Sequence, residues 1–234
     1  MKRCVRLIFL LLLWPSSFIN PAACGVPEQR DLAQDQQAIY PGLDTINVMK
    51  IRDKNLINCA SLAAIEGVEK YLNLGADADA TDHFGITSLM ISSCLGYLPI
   101  VDILISRGAN VNYVDPRGNT ALMIAVQQGR CNIVNHLLLH GATANIKNLK
   151  EDVPLLEAAR LGYRPIVGML LQAGAEVNIT NTDGDSPLSC SIGREDIYAD
   201  LLQAGADPRI LKRARNRAID IYRLLEGDVA SMSL

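Results

Sequence analysis

Residues 108–142 read GANVNYVDPRGNTALMIAVQQGRCNIVNHLLLHGA, opening and closing on the same Gly-Ala pair 33 residues apart. Outward from this stretch the pair recurs at Gly75, Gly108, Gly141, Gly174 and Gly205, with steps of 33, 33, 33 and 31. A second series, Leu56, Leu89, Leu122, Leu155, Leu188 and Ile219, keeps the 33-residue step four times and ends on the same 31-residue step. Two independent series in one register mark an internal repeat, and a period in this range belongs to stacked architectures.

One unit can be built from its residues. Asp115-Pro116-Arg117-Gly118-Asn119 is turn chemistry, with Gly118 free to take a positive φ. Thr120 then caps a helix whose apolar residues Leu122, Ala125 and Val126 fall at i, i+3 and i+4 on one face. Gly129 ends that helix, and a second helix carries Ile133, Val134, Leu137 and Leu138 before Gly141 ends it in turn. Helices of two or three turns are marginal alone, so neighbouring units must bury these faces. The expected fold class is an all-α repeat solenoid.

The units resemble ankyrin repeats, in which a β-hairpin finger precedes two antiparallel helices. The resemblance rests on Asp82-x-x-Gly85-x-Thr87-Ser88-Leu89, then Ser92-Ser93-x-x-Gly96, then Ile100-Val101-x-x-Leu104-Ile105-x-x-Gly108-Ala109-Asn110-Val111-Asn112. It carries on through Pro154-Leu155, Ala158-Ala159, Gly162 and Gly174-Ala175-Glu176-Val177-Asn178, and through Gly184 and Ser186-Pro187-Leu188. On this reading a domain at 45–228 holds an N-terminal cap (45–81), repeats at 82–114, 115–147, 148–180 and 181–207, and a C-terminal cap (208–228), with a tail at 229–234. There are departures from the family pattern. Met90, Met123, Leu156 and Ser189 stand where the family's signature has His, and Val153 replaces the capping Thr. The last repeat lacks two residues near Ile192-Gly193-Arg194, which calls for a tighter turn between its helices.

The N-terminus has the order of an export signal: Lys2 and Arg3, an apolar run to Trp14, Pro15, then small residues at Ala22 and Ala23. Pro21-Ala22-Ala23-Cys24-Gly25 resembles the lipobox of bacterial lipoproteins, which implies acylation of Cys24 and anchoring to a membrane surface in the cell envelope or periplasm. Pro21 departs from the usual aliphatic residue, so cleavage to a soluble secreted form stays open. Residues 24–44 then form the lipidated Cys and a Gln-rich tether without the composition for a core. The apolar run is too short to span a bilayer.

The whole chain has a formal charge of −3; without residues 1–23 it has 19 basic and 25 acidic side chains, a charge of −6. That balance disfavours nucleic acid as a partner. Basic residues gather near the C-terminus at Arg209, Lys212, Arg213, Arg215 and Arg217, a solvated end or a contact for an acidic partner or lipid headgroup. No Gly-Lys-Ser or Gly-Lys-Thr string and no Gly-x-Ser-x-Gly elbow occurs, and no cofactor is expected. His136 and His140 are spaced i, i+4 as a metal pair would be, but Leu137, Leu138 and Leu139 lie between them and the zinc-peptidase pattern fails. A metal-binding or enzymatic protein using this pair is the lesser alternative. Cys59, Cys94, Cys131 and Cys190 sit in different repeats, and stacked helices lie about 10 Å apart, beyond disulfide reach. They are expected to be mostly buried thiols.

What remains is a non-catalytic, monomeric protein-binding module, of which an inhibitor or immunity-type protein covering an enzyme's site would be a special case. The resemblance implies contact positions on finger tips and first-helix ends: His83, Phe84, Ile86 and Leu95; Arg117, Asn119, Gln127 and Gln128; Lys150, Asp152 and Arg160; Asp183 and Asp185. The first group is apolar, the middle polar and the last acidic.

Overall fold

Each leucine of the repeat series up to Leu188 is buried, with at most 2% of its surface exposed at Leu56, Leu89, Leu122, Leu155 and Leu188. Burying one such side chain stabilises a fold by about 1.5–3 kcal/mol, so the series gives every repeat a buried apolar anchor. The computed structural model describes residues 45–209. The leader, Cys24, the tether, and Lys212, Arg213, Arg215 and Arg217 lie outside the described residues. The chain divides into two units, one running to Asn110 and the other starting at Val111.

In the first unit, α1 (Thr45–Ser61) and α2 (Ile65–Asn73) are followed by α3 (Ser88–Leu95) and α4 (Leu98–Ser106). First helices stack on first helices (α1 on α3) and second on second (α2 on α4), while each pair closes on itself. The buried Arg52 of α1 donates to the carbonyl of Leu74 (2.6 Å), satisfying a helix-end group of α2. Thr87 caps α3 by accepting from the Met90 N–H at 3.2 Å.

The second unit holds α5 (Ala121–Gln127), α6 (Cys131–Leu139), α7 (Pro154–Leu161), α8 (Arg164–Gln172), α9 (Pro187–Cys190) and α10 (Glu195–Gln203). The stacking rule repeats: α5, α7 and α9 form one layer, and α6, α8 and α10 the other. Thr120 caps α5 through the Met123 N–H, Ser186 and Ser189 form a reciprocal capping box at α9, and Val153 offers α7 no side-chain cap. Met90, Met123 and Leu156 are buried, so apolar packing fills the family's His position there, and Ser189 answers with its box. α9 is a single turn of four residues, where the last repeat is two residues short.

The architecture is all-α: among the described residues the expected β-hairpin fingers shrink to one isolated antiparallel bridge, Thr81 with Thr87. The finger arms are too short for a ladder. Two backbone bonds close each turn: Asp82 N–H to Ile86 O (3.0 Å) with Gly85 N–H to Asp82 O (3.0 Å), Asp115 to Asn119 (2.9 Å) with Gly118 to Asp115 (2.9 Å), Asn148 to Asp152 (3.0 Å) with Glu151 to Asn148 (2.8 Å), and Asn181 to Asp185 (3.0 Å) with Gly184 to Asn181 (3.0 Å).

A further 33-residue series holds the second unit's repeats together. Asn112, Asn145 and Asn178 each accept from a backbone N–H one repeat on (Thr143, 2.8 Å; Glu176, 2.8 Å; Asp207, 2.7 Å). Each also donates to a glycine carbonyl of that repeat (Gly141, 3.1 Å; Gly174, 3.2 Å; Gly205, 3.0 Å). No helix among the described residues is long and apolar enough to cross a membrane.

Candidate functional site

The finger tips are fixed from within by one side chain each. Oδ1 of Asp82 accepts from the N–H groups of Phe84 and Ile86 (2.8 and 2.9 Å), and Oδ1 of Asp115 from those of Arg117 and Asn119 (2.8 and 2.7 Å). Asn148 does the same for Lys150 and Asp152, and Asn181 for Asp183 and Asp185. Asp and Asn suit the role because a short side chain reaches its own backbone two residues on. The side chains at the third turn position, Phe84, Arg117, Lys150 and Asp183, therefore project from pre-formed turns, and all four are exposed.

In the first unit the tip is apolar. Phe84 is 52% exposed, with its ring centroid 3.8 Å from that of His83, and Ile86 and Leu95 are half-buried. In the second unit the tips are charged or amphipathic, and Leu149 stands 75% exposed beside Lys150. Consecutive fingers are joined by backbone bonds, Leu149 N–H to Arg117 O at 3.0 Å and Thr182 N–H to Lys150 O at 3.1 Å. That closeness explains Gly118 twice over: its φ is +81°, and a Cβ there would lie 2.7 Å from Asn148 Cα. The equivalent place in the next finger is Glu151, held at φ +58°, a conformation that costs a non-glycine residue about 1–2 kcal/mol.

Other expected contact residues serve the fold instead. Asp152 is only 5% exposed, and its Oδ1 accepts from Asn181 Nδ2 (2.8 Å) and from Arg160 Nη2 (3.3 Å). The Arg160 side chain is 36% exposed but engaged as well: it also pairs with Glu157 (2.7 Å) and lies 3.6 Å from Asp185. Burial works against the Arg160 charge, but Glu157 and Asp152 outweigh it and hold the guanidinium above its ordinary value. Glu157 is pushed above the usual carboxylate range, chiefly by burial and against the pull of Arg160. Burial, then the Asp185 charge, also raises the Cys190 thiol, which keeps it protonated and a poor nucleophile. Asn119 turns inward on its own finger, its Nδ2 donating to Asp115 Oδ2 at 3.2 Å, and Gln127 and Gln128 are half-buried.

The His136 and His140 rings lie 4.3 Å apart, and His140 Nδ1 is 2.8 Å from the His136 carbonyl, a contact in which the ring nitrogen donates. Among the described residues no group of three or more His, Cys, Asp or Glu is placed to hold a metal ion. Of the described cysteines only Cys59 is buried. Cys94, Cys131 and Cys190 are half-buried, a correction to the expectation of mostly buried thiols, because they fall at helix ends where solvent reaches them. The Asn112, Asn145 and Asn178 clamps are not among the expected site residues, although their 33-residue recurrence was an available signal.

Stacked helix pairs with preformed, side-chain-locked turns define a repeat-built binding scaffold. Residues 56–148 match ankyrin repeats as three copies and residues 150–182 match a further ankyrin repeat, and the chain belongs to the ankyrin-repeat family. Ankyrin repeats make it a protein-protein interaction module. No curated protein matches the chain.

Proposed function

We propose that this chain is a non-catalytic binding module of a bacterial envelope, exported by residues 1–23, held at a membrane surface through lipid on Cys24, and binding a partner protein with its finger tips. The observation that carries the binding reading is the exposed third-position side chain of each finger, Phe84 in the first unit and Arg117, Lys150 and Asp183 in the second, on turns whose backbones are already fixed. Fixed turns lose little entropy on association, so exposed anchors there convert efficiently into affinity. Phe84 and Leu149 are large apolar side chains left in water, the kind a partner covers. The anchor reading is supported by the order of charge, apolar run and small residues before Cys24.

Two readouts in one experiment test it. The full chain and its Cys24→Ser variant are fractionated from a bacterial host, and partners are captured from membranes with wild type and with a Phe84→Ala, Arg117→Ala, Lys150→Ala variant. The expected results are loss of Cys24→Ser from the membrane fraction and loss of the captured partner with the triple variant. Unchanged fractionation defeats the anchor, and identical partner lists defeat the finger-tip surface.

A further inference from the structure

Arg117, Lys150 and Asp183 occupy one register in three successive fingers of the second unit, and backbone bonds hold those fingers side by side. Neither Arg117 nor Lys150 has an ion pair among the described residues, because the acids around them are already engaged. Asp115 is buried and serves its own turn, Glu151 pairs with Lys147 (3.3 Å), and Glu157, Asp152 and Asp185 surround Arg160. The Lys150 charge is felt at Glu157, but Arg160 holds that carboxylate. The row thus presents two uncompensated cations, with the exposed Leu149 next to Lys150 in the same finger, followed by an anion at Asp183.

We propose that this row binds an extended acidic segment of a partner protein. Equivalent positions in stacked repeats lie about 10 Å apart and an extended chain advances about 3.3 Å per residue, so one finger corresponds to about three residues. The complementary segment has a carboxylate on Arg117, a second carboxylate three residues on at Lys150, an apolar residue beside that second carboxylate against Leu149, and a Lys or Arg a further three residues on at Asp183. Arg117 supplies a forked donor that matches a carboxylate, and Lys150 a point charge. The proposal deepens the finger-tip reading above and rests on it.

The test is selection of a phage-displayed library of random twelve-residue peptides on the full chain and on its Arg117→Glu, Lys150→Glu variant. The expected wild-type consensus is two acidic residues three apart with an apolar residue beside the second, and the variant selects Lys or Arg at the two acidic places. A wild-type peptide made synthetically is expected to bind the reversed variant at least tenfold more weakly at low salt. An Arg117→Gln, Lys150→Gln variant with an unchanged unfolding midpoint keeps the comparison valid if the reversal perturbs folding, and it too should lose at least tenfold. A consensus without acids, the same consensus on both proteins, or no enrichment overturns the proposal. Partner capture that depends on Phe84, Arg117 and Lys150 together with any of those outcomes leaves the module reading standing and removes only the acidic segment.

Discussion

The two units solve one problem, how a repeat grips the next, with different chemistry. In the first, Asp79 accepts the N–H of Asn110 at 2.7 Å, and Asp53 accepts that of Asp77 at 2.9 Å. In the second, the Asn112, Asn145 and Asn178 side chains accept one bond and donate another. An ionised carboxylate has no proton to give, so a clamp built from Asp is single and adds charge, whereas Asn makes it double and neutral. The finger tips diverge in the opposite sense, apolar at His83 and Phe84 and charged from Arg117 onward. The framework and the tips vary independently, which is what lets a repeat scaffold change its partner without changing its fold.

The largest expected effect separates backbone strain from crowding. Gly108, in the first unit, has φ +85° and open space where a Cβ would go, while Gly118 has φ +81° and the Asn148 backbone at 2.7 Å. Gly108→Ala is expected to cost about 1–2 kcal/mol, the left-handed penalty alone, and Gly118→Ala about 3–4 kcal/mol because the next finger must also shift. Denaturant unfolding midpoints check the pair. Equal losses would mean that the finger-to-finger contact yields freely. The next effect compares the clamps: Asn145→Ala removes two bonds and is expected to cost about 1–3 kcal/mol, and Asp79→Ala, with one, about half of that. If the two variants unfold alike, the second bond of the asparagine clamp adds nothing.

The fold was legible because its determinants are periodic. Leu89, Leu122 and Leu155 recur at a fixed step since each fills the same place in a stack, and one buried leucine predicts the next. The turn residues Asp82 and Asp115 were readable for the same reason, Asn148 and Asn181 stand at the next two 33-residue steps, and all four position the candidate site. The roles of individual polar side chains were less readable. Asp152 and Arg160 occupy contact positions of the repeat, yet they turn toward Asn181 and Glu157, because a carboxylate one residue after Glu151 and an arginine eight residues later meet only in three dimensions. Exposure at a repeat position is inherited from the fold, whereas engagement depends on which charges the neighbouring repeats bring within reach.

The smallest effect comes from exchanging caps between the units. Thr87 in the first unit serves the Met90 N–H, while Val153 in the second leaves the corresponding Leu156 N–H without a side-chain acceptor. Both cap residues have extended backbones, φ −86° and ψ 162° against φ −109° and ψ 159°, so the geometry a threonine needs is present at 153. Thr and Val have nearly the same shape, and position 153 is fully buried, so the change alters hydrogen bonding and leaves packing almost untouched. Val153→Thr is therefore expected to stabilise the second unit by about 1 kcal/mol, and Thr87→Val to destabilise the first by a similar amount. A Val153→Thr variant that unfolds earlier than wild type would show that burying the hydroxyl at 153 costs more than the cap returns, and that α7 relies on Pro154 at its first turn and on Leu155 and Leu156 in the core.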